Sequence, residues 1–443
     1  MCGFMVMRCV LKHHVCLCVL STAVLAGLAL ITAQTKVYAE SLNCNGIANT
    51  RATGKAGDRS GDSDKGRIEC DGSGVGGKGD RWGQLSGERT IDMKENPSKP
   101  AVKVHGRTTN ITIISGKLTI TDKGSASEMP AIQVDKQGKL MLTGNVDIQN
   151  VYKGIEVNGD GSFVTVNRGS IGVRAGGGAV IEVKNGGEAT LIKGVKVGTV
   201  SGTGEVISIN NGGEVTLGGT RFSNVKTGIK IMGTGKATTV RGGGATISLV
   251  NGNSTGVIMQ GTRGANATVM ELNIKGSGGT TTGAEMMGEG TLMLNMVNIS
   301  QVQMGARVSK GKLTVMGGEI QASGTGGTGA EVTGGVLEVN GRAMIAGTTM
   351  GLRVAGGSAT MMGGMIQASG GSGSYGVIVD TSGGEVTLNT VTISQFATGV
   401  YAKKGAFKMT GGSVTEFTGT GVSVGSAVTK ADLKGVEITG QNK

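Results

Sequence analysis

Proline is almost missing from this chain, with 3 in 443 residues, and aromatic residues make up only 2% of it. Glycine, by contrast, numbers 85. Glycine at this density with so little proline and no strict three-residue period excludes a collagen triple helix. The shortage of aromatics removes the stacking platforms on which single-stranded nucleic acid is usually bound. Basic residues are not clustered in runs either, so no nucleic-acid partner is expected. Histidine is limited to 3 residues and cysteine to 6, which leaves little for a metal site. No cofactor and no metal are expected. Beyond the amino terminus no long apolar run occurs.

The acids are in the minority. Lysine and arginine total 43 against 31 acids, a formal charge of +12, and the first 39 residues contribute only Arg8, Lys12 and Lys36 to it. A basic surface of this kind is compatible with anionic glycans, or with a merely solvated exterior.

What the chain does contain is repetition. Gly305-Ala-Arg-Val, Gly329-Ala-Glu-Val, Gly351-Leu-Arg-Val, Gly376-Val-Ile-Val, Gly399-Val-Tyr-Ala and Gly421-Val-Ser-Val recur at spacings of 22 to 25 residues. Each is followed by a second alternating run, such as Lys312-Leu-Thr-Val or Glu385-Val-Thr-Leu, then a glycine corner and a third short apolar run. A fixed period in this range signals a solenoid. Period-two alternation inside each run predicts strands with one face in and one face out. Ala306, Ala330, Leu352, Val377, Val400 and Val422 should line one inward column, and Val308, Val332, Val354, Val379, Ala402 and Val424 its neighbour. Gly317-Gly318, Asn340-Gly341, Gly363-Gly364, Gly411-Gly412 and Lys434-Gly435 mark corners. Methionines such as Met293, Met361 and Met409 are expected to fill the narrow core.

The expected fold is all-β: a right-handed parallel β-helix of about fourteen rungs over residues 99–443. Strict hexapeptides, the signature of a left-handed helix, do not occur. Residues 1–39 read as a signal peptide, with a basic start, an apolar run from Val15 to Ala33 and Val37-Tyr38-Ala39 before the cut; an uncleaved anchor is the alternative. Residues 40–98 are polar and irregular and read as an N-terminal cap over the raw sheet edge. Once the leader is gone only Cys44 and Cys70 remain, and an oxidising compartment favours joining them. Such a loop closure contributes roughly 3 kcal/mol in the chain-entropy model.

Motifs for chemistry are sparse. Gly61-Asp-Ser-Asp64 resembles a serine-nucleophile phrase, but His105 is the only histidine after the leader and stands in the first rung, so no triad is expected around Ser63. Asp135, Asp147 and Glu156 are near one another in sequence, yet they fall on different strands and form no dense carboxylate cluster of the kind glycosidases need. Lys78-Gly-Asp80 could act as an adhesive tripeptide, and Gly76-Gly-Lys-Gly-Asp80 is one incomplete calcium nonapeptide. No catalytic residue is assigned. Outward residues Arg307, Arg353, Tyr401, Lys403 and Lys404 are the candidate partner contacts.

The leader Arg8-Cys-Val-Leu-Lys-His-His, Cys70-Asp-Gly, and Gly305-Ala-Arg-Val-Ser-Lys-Gly-Lys-Leu-Thr-Val together resemble the passengers of type V autotransporters. The wording is similar to the inducible and pro-angiogenic autotransporters of Bartonella. That resemblance implies an exported, non-enzymatic, monomeric virulence factor or adhesin that meets a host cell surface, receptor or matrix at the outer membrane or after secretion. Family members end in a translocator barrel, whereas the repeats here run to Gln441-Asn-Lys443. A truncated or split passenger, periplasmic unless a barrel is supplied, is therefore the alternative, and a polysaccharide-active β-helix the third reading.

Overall fold

The computed structural model describes residues 44–45, 67–70 and 82–441, apart from 108, 193 and 200–204. Among the described residues strand follows strand, with a 3-10 turn at Met93–Glu95. Each coil contributes three strand segments, which in places run together as one strand, as in Gly373–Ser394, and within the stack each segment pairs in parallel with those of the neighbouring coils. Met304–Val308, for example, lies between Thr282–Met286 and Thr328–Val332. The result is a parallel β-solenoid of about 14 turns. At about 4.8 Å per coil this is a rod on the order of 65 Å long.

The three strands of a coil define three lateral faces. Face one carries Val102–His105 through Thr420–Val424, and face two carries runs such as Lys312–Met316 and Val336–Asn340. Face three carries Glu319–Ala322, Met344–Gly347 and their equivalents. On face one the expected columns are found: Ala306, Ala330, Leu352, Val377 and Val400 are in register and essentially inaccessible to water. Face three supplies the most regular column of all. Ile247, Ile274, Ile299, Ile320, Ile345, Ile366 and Ile393 stack coil upon coil, all buried. β-branched side chains suit such a column because their single preferred rotamer repeats from rung to rung. Burying each contributes about 1.5–3 kcal/mol.

Glycine has two separate roles here. At the corners it adopts left-handed backbone, as at Gly318 (φ 81°) and Gly364 (φ 85°). At the head of each face-one strand the reason is space. A Cβ placed on Gly283, Gly305, Gly329, Gly351 or Gly376 would collide both with a carbonyl oxygen of the next coil and with a methyl of the isoleucine column. The Gly-x-x-Val phrase is therefore a packing motif, the notch into which face three's isoleucines fit.

Three expectations change. The stack begins before residue 99: Ile68–Cys70 pairs in parallel with Val102–His105, and Trp82–Asp92 with Asn110–Thr121. The segment expected to be a pure cap thus supplies part of the first coils. The columns also do not stay buried to the last coil. Val424 is 50% exposed, Leu433 39% and Ile438 47%, because no described coil stacks on that side of them. Finally, Met361 and Met409 are core residues, but Met293 faces outward between buried Leu292 and Leu294. Met296, Met316 and Met362 are exposed as well, so core filling accounts for only part of the methionine.

Before the stack, Cys44–Asn45 runs antiparallel to Ile68–Cys70, with Cys44 opposite Cys70. Cys70 is 1% exposed and heads the inward column that continues through Val104 and Val134. The apolar run from Val15 to Ala33 lies outside the described residues. Among the described residues no helix is long and apolar enough to cross a membrane.

Candidate functional site

A solenoid turns every outward position into a column, so charges distant in sequence become neighbours. On face one this yields a compensated ladder. Glu156 accepts from Lys184 at 3.0 Å and from Gln133 at 3.0 Å, while Lys153 reaches Glu182 at 2.9 Å. Lys184 also lies 3.1 Å from Glu182. Burial pushes the Glu156 carboxyl up, but the Lys184 and Gln133 hydrogen bonds and the two lysine charges outweigh it and hold the carboxyl below its ordinary value. Burial likewise works against the Lys184 ammonium, and its bonds to Glu156 and Glu182 win and raise it. At the start of the same face Glu69 is treated alike: burial raises it, while Arg67, Lys103 and His105 bring it down.

The expected contact residues sit on this face or at its margin. Arg307 and Arg353 are one coil either side of Glu331 and both reach it, at 3.2 and 2.5 Å. Their guanidinium groups are thus engaged within the rod. Tyr401 stacks on Tyr375 at 5.9 Å between ring centroids and 24° between planes. Lys403 is 3.1 Å from Asp380, and Lys404 is exposed beside it. The five are spread over five successive coils, and three of them form ion pairs within the chain while their side chains stay exposed.

The residues weighed for chemistry do not converge. Asp135 and Glu156 stand on adjacent face-one strands, whereas Asp147 is on face three, held by Ser170 at 2.6 Å and Gln149 at 2.7 Å. His105 pairs with Glu69 at 3.3 Å. Ser63, Lys78-Gly-Asp80 and the Gly76–Asp80 phrase lie outside the described residues. Among the described residues no group of histidine, cysteine or carboxylate side chains is arranged to hold a metal.

Two features escaped the sequence reading. The first is a buried clasp. The Asp122 carboxylate, wholly withdrawn from water, accepts from Arg174 at 2.7 Å and from the Ser127 backbone N–H at 3.0 Å. Arg174 also donates to the Ser127 carbonyl and lies over the Tyr152 ring. This ties the 122–129 loop to a coil two rungs away and carries no free valence for chemistry. The second is a strip on face three where Lys117, Arg168, Lys196 and Arg221 are all exposed. In the sequence these four are tens of residues apart; only the coil register reveals them as neighbours.

No protein-family model matches the chain, and no curated protein or solved structure is matched by it.

Proposed function

We propose that this chain is an exported, passenger-like rod of the autotransporter kind, wound right-handed, that acts by binding an extracellular partner along its side. The observation that carries this reading is the solenoid itself. About 14 stacked turns present three long lateral faces on which outward side chains repeat at coil spacing. A surface of this kind recognises extended partners through many weak contacts in register. The basic, apolar, small-residue order of the first 39 residues supports export, and the resemblance of the leader and repeat phrases supports the passenger reading.

We further infer a Cys44–Cys70 disulfide that fastens the first antiparallel pair to the stack. The two residues are directly opposite in register, and cross-strand neighbours have the Cα separation a disulfide spans.

The test is direct. Residues 40–443, purified from an oxidising compartment, are applied to endothelial and epithelial cells and to extracellular matrix. Saturable binding at micromolar concentration is the expected result; no binding to any of the three overturns the host-contact reading.

A further inference from the structure

We infer that the outward strip of face three between Lys117 and Arg221 binds an anionic polysaccharide lying along the rod axis. This inference rests on the reading of the rod as a lateral binding surface and names the chemistry of its partner.

The argument begins with register. Lys117 is aligned with Asn145 and then Arg168, and one column over Ser170 is aligned with Lys196 and then Arg221. Lys196 and Arg221 therefore stand directly beside each other in adjacent strands, with no carboxylate between them. Like charges in that relation are destabilising by themselves. On face one the like charges that stand directly beside each other, Glu156 and Glu182, are relieved by Lys153 and Lys184. Between Lys196 and Arg221 no carboxylate among the described residues relieves the repulsion. Two acids are near: Glu88 is aligned with Lys117, and Asp147 lies one coil before Ser170. Neither makes an ion pair with the four cations among the described residues, and Asp147 is committed to Ser170 and Gln149.

Spacing and side-chain type then choose the ligand. The cations occupy four of five successive coils, a strip roughly 19 Å long at the coil repeat. Linear polymers carrying regularly spaced sulfates or carboxylates match a row of charges at fixed intervals. Arginine's planar fork suits two oxygens of one anionic group. Between the cations stands the exposed Asn145, whose amide can serve sugar hydroxyls. The strip carries no aromatic side chain on which a base could stack, which disfavours single-stranded nucleic acid.

The experiment uses the secreted chain and heparin as the probe, with hyaluronate and neutral dextran as further arms, at about physiological ionic strength. Wild type is expected to bind heparin, to bind hyaluronate more weakly, and to ignore dextran. Lys196→Glu with Arg221→Glu should weaken heparin binding by about tenfold or more, as expected when two ionic contacts are reversed. Lys310→Glu with Lys408→Glu, which changes the net charge equally at exposed sites off the strip, should change it by less than about twofold. Both variants should keep the wild-type circular dichroism spectrum and melting temperature.

Equal losses in the two variants would reduce the effect to net charge and overturn the inference. Binding of single-stranded DNA through the same residues, as tightly as heparin, would overturn it in favour of nucleic acid. A wild-type chain that binds cells but not heparin would sink this inference while sparing the host-contact reading. A chain that binds heparin but no cell or matrix would do the reverse.

Discussion

Faces one and three of this rod are built by the same rule and spend their charges in opposite ways. On face one each cation has a carboxylate one coil away: Lys153 and Lys184 interlock with Glu156 and Glu182, and Arg307 and Arg353 share Glu331. Between Lys117 and Arg221 on face three the cations are exposed and make no ion pair among the described residues. The backbone cannot explain the difference, because both faces are parallel strands at the same spacing. It lies in which residue one period away occupies the matching position. Compensation makes a face part of the scaffold, and its absence leaves a face available to a partner.

The strongest way to strain that contrast is to remove the most deeply compensated carboxylate. Asp122 is fully buried against Arg174 and two backbone N–H groups. Asp122→Ala strands the guanidinium and those donors, and should cost about 3–5 kcal/mol, read as a lower urea midpoint. If the variant unfolded at the wild-type midpoint, internal pairing would not be what holds this loop to the stack.

A smaller effect concerns the ladder itself. Glu156→Gln keeps the shape but removes the charge that Lys184 and Lys153 answer, and should cost about 1–2 kcal/mol at neutral pH after allowing for the water that reaches both lysines. Its pH dependence has a definite sign. The folded Glu156 carboxyl titrates below its unfolded value, so its contribution is present above the ordinary glutamate range and disappears as pH falls through the folded value. Lys184 titrates above its unfolded value, so its contribution is complete below the ordinary lysine range and is lost as pH rises beyond it. The stability gap between wild type and Glu156→Gln should therefore be widest across neutral pH and close at both extremes. A gap that stayed constant from acid to alkali would mean that charge is not the cause.

The fold was open to reading because it is periodic. Gly-x-x-Val phrases, period-two alternation and glycine corners each report a local requirement, and together they specify coils and inward columns. The isoleucine column was present in the sequence too, as Ile299, Ile320, Ile345 and Ile366. Its packing against the Gly305 column was not, because that contact joins two faces rather than two repeats. The outward surface was the least legible. Arg307 and Arg353 look like free contacts when read singly, and only the register shows Glu331 between them. Met362 and Met409 look alike in sequence, yet one is 51% exposed and the other fully buried. Position parity separates them, and it shifts at every bulge. For the same reason Lys117, Arg168, Lys196 and Arg221 remained four scattered residues: adjacency across coils depends on loop lengths that vary by several residues per turn.

The smallest predicted effect is the most discriminating, because its sign is reversed. Replacing Lys196 by alanine takes one of two like charges out of a cross-strand pair. The folded chain should gain a few tenths of a kcal/mol, within the range of about 0.2–1 kcal/mol typical of such pairs. Lys196 and Arg221 are exposed, so the gain should shrink as salt is raised and the screening length falls below their separation. The cost of Glu156→Gln, which lies in a half-buried and hydrogen-bonded cluster, should persist under the same salt. Chemical denaturation of both variants at low and high ionic strength checks the pair of expectations together. Were Lys196→Ala destabilising at every salt concentration, the lysine would be serving the scaffold, and the distinction between a compensated face and an open one would fail at the position where it is drawn most sharply.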